Sequence, residues 1–142
     1  SQIQEYLDQG EYGELFEYGE YYHLTDSEKG KFADYYNVFW CAWRYDRTAG
    51  DMDSYLRSQD YEDQSIRDSY LQSLADSLSS FYQESWPDQY PEEMRSIYET
   101  MRTRMGELLE ERIGLSEETV EELDGMTSAR IAKLLRERGQ AE

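Results

Sequence analysis

Phe32, Tyr35, Tyr36, Phe39, Trp40 and Trp43 recur at spacings of three and four residues. An α-helix gathers such positions on one face, because successive side chains rotate by about 100°. Thr25-Asp26-Ser27-Glu28 precedes them with the spacing of a capping box, so a helix is predicted from about Asp26 to Arg47. Cys41 and Ala42 within it read as packing residues. Val and Ile total only seven residues, too few for an extensive sheet. Leu, Ile, Val and Phe together number 24 of 142, and the net charge is −18, a pairing typical of disordered chains. The 14 Tyr, 3 Trp and 4 Phe outweigh that signal, since each aromatic can bury roughly 150–250 Å². The expectation is an all-α fold: a compact bundle of about four to six helices around an aromatic-rich core.

The remaining segments fit the same plan. At the N-terminus, Glu5–Gly10, Glu11–Phe16 and Glu17–Tyr22 form an imperfect hexapeptide repeat. Each copy opens Glu-Tyr and carries a second carboxylate three residues on. A short helix or turn and a second short helix around 11–22 are expected, with Leu7, Leu15 and Phe16 turned inward. Thr48 to Asp60 reads as a connection with a turn of helix near Met52–Arg57. A long helix is predicted from about Glu62 to Glu84, facing inward with Ile66, Tyr70, Leu74, Leu78 and Phe81, with Leu71 and Tyr82 beside them. Pro87 and Pro91 then force a break. The next helix carries Met94, Ile97, Tyr98, Met101, Met105 and Leu108 and ends near Ile113, with Gly114 as its cap. Residues 1–113 are thus expected to form an acidic, Tyr-rich helical body. Residues 114–142 read as a C-terminal helical hairpin packed on it. Ser116 and Thr127 should cap its two helices, Leu115/Val120 and Met126/Ile131 have the spacing of hydrophobic staples, and Asp124-Gly125 turns the chain.

Charge excludes whole classes of function. A chain with 32 acidic and 14 basic side chains is repelled by nucleic acid and anionic lipid alike. Its single cysteine cannot close an internal disulfide. No apolar run approaches the roughly 20 residues of a membrane span, and no signal-peptide pattern is present. A cytoplasmic protein is expected, in the host cytoplasm if the source is viral. Phosphate-cradling glycine loops, nucleophile elbows and zinc-type cysteine pairs are absent. Glu20-Tyr21-Tyr22-His23 has the Glu-x-x-His spacing of di-iron bundles, but those need the motif on two helices and this chain has one histidine. No metal, cofactor or catalytic residue is therefore assigned, and the chain is expected not to be an enzyme.

What remains is recognition through charge. Carboxylates several ångströms apart on a folded surface imitate a phosphate backbone, and tyrosines among them add rigid contact area. In composition, though not in motif, the chain resembles small acidic helical inhibitors of nucleases, restriction systems and CRISPR complexes, and immunity proteins against basic toxins. That resemblance implies a phage- or virus-type anti-defence inhibitor acting as a DNA mimic against a basic protein surface. The expected partner face comprises Glu11, Tyr12, Glu14, Glu17, Tyr18 and Glu20, supported by Asp60, Glu62 and Asp63. Two alternatives stand beside it. Arg outnumbers Lys 11 to 3, which fits a salt-adapted (halophilic) structural or assembly protein whose acids only hold water, although a GC-rich genome produces the same bias. Residues 127–142 instead carry four basic and two acidic side chains. Leu123–Leu135 loosely echoes helix-hairpin-helix spacing, with Thr127 where a second glycine would stand. Arg130, Lys133 and Arg136 would then be outward readers of nucleic acid.

Overall fold

Among the described residues, side-chain oxygens cap three helix starts, at Asp63, Ser116 and Thr127, and left-handed glycines follow helix ends at Gly10 and Gly114. The computed structural model describes residues 2–11, 13, 14, 26–83 and 92–141. They form α1 (Gln2–Gln9), α2 (Asp26–Ser58), α3 (Gln64–Gln83), α4 (Glu92–Leu108), α5 (Glu117–Glu122) and α6 (Ser128–Ala141). A wide π-turn, Leu109–Ile113, continues α4. No strand occurs among the described residues, and the fold is an all-α bundle. The first repeat copy is helical up to Gly10, whose φ of 72° lets the Glu11 amide donate to Tyr6 O at 2.9 Å. Gly114 closes the π-turn in the same left-handed region, with its own amide on Leu109 O. Ser116 Oγ accepts from Thr119 N at 3.2 Å, and Thr127 Oγ1 from Arg130 N at 3.2 Å, as their sequence positions predict.

Two expectations are corrected. The connection predicted at Thr48–Asp60 does not form, because α2 runs unbroken to Ser58. Gly50, Asp51, Asp53 and Ser54 look like loop composition, yet Thr48, Met52, Tyr55 and Ser58 fall on one face and are buried. That burial outweighs the roughly 1 kcal/mol cost of Gly50, which sits exposed in mid-helix. Ile66, expected in the core, is exposed. The buried face of α3 starts a turn later, at Leu71, and continues through Leu74, Ala75, Leu78, Phe81 and Tyr82. Several predicted features lie outside the described residues: the caps and turns at Thr25, Pro87 and Pro91, and the side chains of Leu7, Leu15, Phe16, Phe32, Tyr35, Tyr36, Phe39 and Met94.

The chain divides into two compact units, each drawn from two stretches: Ser1–Asp46 with Trp86–Arg104, and Arg47–Ser85 with Met105–Glu142. In the first, Cys41, Ala42, Tyr98 and Met101 are buried. Trp40 meets Trp43 edge-on at 5.3 Å, and Arg44 and Arg102 lie over the rings of Trp40 and Tyr98. The second unit buries Met52, Tyr55, Leu74, Leu78, Phe81, Met105, Leu109, Leu123, Ile131 and Leu135. Here α3 packs along α6. Hydroxyls fix that contact: Ser79 Oγ donates to Met126 O at 3.2 Å, Gln72 Nε2 donates to Ser128 Oγ at 3.1 Å, and Ser128 Oγ donates to Asp76. On its other side α3 is tied to α2, with Thr48 Oγ1 donating to Ser77 O at 3.4 Å and Ser77 Oγ to Asp51. Arg138 Nε donates to Ile113 O at 2.7 Å, anchoring the far end of α6 beside the π-turn. A Cβ at Gly114 would collide with that guanidinium, so both φ and space call for glycine there.

Candidate partner-binding surface

The bend between α2 and α3 is built almost entirely from its own hydrogen bonds. As α2 ends, Gln59, Asp60 and Tyr61 amides donate to Leu56, Arg57 and Ser58 carbonyls at 3.3, 3.5 and 3.0 Å. Ser58 Oγ donates to Tyr55 O at 2.7 Å. Arg67 reaches back from α3 and donates through Nη1 to the carbonyls of Tyr61 and Glu62. Asp63 starts α3: its Oδ1 accepts from Ser65 N at 2.8 Å and from Ile66 N at 3.4 Å. A short bend thereby acquires a fixed shape.

What this bend presents is acidic and apolar together. Asp60, Glu62 and Asp63 are exposed, and among the described residues Asp60 and Glu62 form no ion pair. Tyr61 and Ile66 are 44% and 45% exposed. Tyr61 rests edge-on against Tyr70, with ring centroids 5.9 Å apart. The three predicted acids thus lie on one bend but differ in role. Asp63 is committed to the helix N-terminus, while Asp60 and Glu62 face solvent. Tyr61, Ile66 and Tyr70 were not expected at a surface site. Tyr61 carried a usable signal, because Asp60-Tyr61-Glu62 sets a tyrosine between carboxylates much as the N-terminal repeat does. Ile66 and Tyr70 carried none, since their helical spacing matches that of the core face.

The other predicted acidic-face residues fall in the first unit or outside the described residues. Glu11 and Glu14 are exposed and belong to the first unit, and the second unit holds the bend. Gly13, beside Glu14, packs against the Asp46 carboxylate. Tyr12, Glu17, Tyr18, Glu20 and His23 lie outside the described residues. Among the described residues no group of three or more His, Cys, Asp or Glu side chains could hold a metal ion. No helix of the described residues is long and apolar enough to cross a membrane.

Arg130, Lys133 and Arg136 are all exposed on α6, opposite the buried Ile131, Ala132 and Leu135. Lys133 lies 3.9 Å from Glu137. The turn before α6 uses its own amides: Gly125 N donates to Tyr82 O at 3.4 Å and Met126 N to Leu123 O at 3.0 Å. In a helix-hairpin-helix, amides of this turn would face phosphate; here these two already have carbonyl partners.

No known protein family, characterised protein or solved structure matches the chain.

Proposed function

We propose that this chain is a non-enzymatic acidic protein that binds a basic partner in the cytoplasm, acting as a nucleic-acid mimic that inhibits a nucleic-acid-binding protein of the restriction, CRISPR or toxin-nuclease type. The observation that carries this reading is the bend at residues 60–63. It sets solvent-facing carboxylates beside exposed tyrosine and isoleucine within a chain of net charge −18. Evenly hydrated acids need no such apolar company. A cationic groove, by contrast, gains from both, through counterion release and through burial of the rings. The test is binding to a basic nuclease and to a CRISPR effector across a salt series. Affinity should fall steeply as salt rises and should weaken in Asp60→Asn/Glu62→Gln. Affinity that ignores salt removes the electrostatic account.

A second reading has its own support. Glu107, Glu110, Glu111, Glu117, Glu118, Glu121 and Glu122 are all exposed. Such a run fits a salt-adapted helical structural or assembly protein whose carboxylates hold water. Folding followed by circular dichroism separates the two readings, because a salt-adapted fold melts when salt is withdrawn. A protein fully folded in low salt disfavours this alternative.

A further inference from the structure

Large apolar side chains rarely stay in water beside one another without a use. Among the described residues Trp40, Tyr61 and Ile66 are the exposed large hydrophobics, and two of the three lie on a single bend. Ile66 follows directly from the cap: its amide is held by Asp63, which fixes the first turn of α3 and turns the side chain outward. Tyr61 is oriented by its contact with Tyr70. Asp60 and Glu62, the chain neighbours of Tyr61 on either side, are exposed as well. Of the two basic side chains that flank the bend, Arg67 is occupied by the carbonyls of Tyr61 and Glu62, and Arg57 donates back along α2 to Ser54 Oγ at 3.2 Å. The bend and the first turn of α3 thus expose apolar and acidic side chains together, on a backbone whose own hydrogen bonds fix it before anything binds.

We infer that this corner, formed by Asp60, Tyr61, Glu62, Ile66 and Tyr70, docks a cationic polypeptide segment in which one apolar side chain is flanked by Arg or Lys. The inference rests on the basic-partner reading above and deepens it by giving the contact a place and a chemistry. The apolar residue seats against Ile66 and the edge of the Tyr61–Tyr70 pair, while the flanking cations meet Asp60 and Glu62. Charge complementarity selects this occupant. A nucleic acid or anionic lipid is repelled by the same carboxylates, and a second copy of the chain would bring another net −18 to the contact. Asp63 contributes to the corner by positioning it, because its Oδ1 accepts the α3 amides of Ser65 and Ile66.

Two synthetic peptides of equal length and charge test this: one of Arg alternating with Ser, the other identical but for a central Leu. The Leu peptide should bind about tenfold more tightly. Ile66→Ser and Tyr61→Ala should each remove most of that gain while leaving the Ser peptide within about twofold. Asp60→Asn/Glu62→Gln should weaken both peptides and flatten their salt dependence. Unchanged helical circular dichroism and melting separate these effects from loss of fold. If both peptides bind alike, with salt-dependent affinity that Ile66→Ser does not alter, the corner is wrong although the basic-partner reading survives. If neither binds at low salt, both fall together. If sedimentation shows a dimer that Ile66→Ser dissociates, the surface belongs to a second copy and the inference is overturned.

Discussion

The acidic bend and the basic face of α6 lie in the same unit, and both display exposed charges at close spacing. They differ in what stands among those charges. At the bend, Tyr61 and Ile66 are left in solvent. On α6 the apolar residues are turned the other way, and Ile131, Ala132 and Leu135 are at most 1% exposed. Arg130, Lys133 and Arg136 therefore read as the solvated side of a packed helix, whereas the bend carries apolar surface that nothing in its own unit covers. The contrast teaches that a cluster of like charge acquires a binding role through its neighbours. Sign and density alone do not distinguish a contact surface from a hydrated one.

The comparison breaks most visibly if α6 is not a packed element. Leu135→Ala should cost about 2–5 kcal/mol in urea unfolding, because it opens a cavity against a fully buried position. A cost well under 1 kcal/mol would mean that the helix is loosely held and its basic side available for another task. A smaller effect divides the acids of the bend. Asp63→Ala should lose about 1 kcal/mol of stability with its two α3 amide bonds. Asp60→Asn should stay within about 0.5 kcal/mol of the parent, since it changes an exposed charge alone. Equal losses at both positions would erase the division between a positioning acid and contact acids. The smallest effect belongs to the basic face. Arg130→Gln/Lys133→Gln/Arg136→Gln should shift stability by no more than about 0.5 kcal/mol, the exposed Lys133–Glu137 pair being worth little. Any weak affinity for duplex DNA, read by fluorescence anisotropy, should also be unchanged. A marked loss of DNA affinity would instead make α6 the functional surface.

Legibility in the sequence followed the range of the interactions involved. Ser116, Thr127 and Gly114 mark helix ends through contacts within six residues, and spacing alone located them. The all-α class was equally readable, because few β-branched residues and a three-to-four period are properties of the chain itself. The continuity of α2 past Thr48 was not. Gly50 and the acids around it argue locally for a connection, and the opposing term is the burial of Met52 and Tyr55 in a stretch that Thr48 and Asp51 tie to Ser77 of α3. At the candidate site the acids were legible as Asp60, Glu62 and Asp63. The apolar half was hidden, because Ile66 continues the period of α3 one turn beyond the reach of its packing partners. Asp63 shows the same limit from another side: its type suits a contact residue and a helix cap equally well, and only the positions of the Ser65 and Ile66 amides separate the two roles.

The bend has one more consequence, for the durability of the chain. Exposed connections are where proteases usually cut, since cleavage needs several residues to leave their hydrogen bonds and lie extended in an enzyme's cleft. Arg57 and Arg67, the residues that trypsin would seek, flank this bend. Yet Arg57 sits in the last turn of α2, and the carbonyls of Arg57, Ser58, Tyr61 and Glu62 are all engaged. The bonds that shape this bend thus also keep the Arg57–Ser58 link out of an extended conformation, so a surface offered to other proteins need not be a point of breakage.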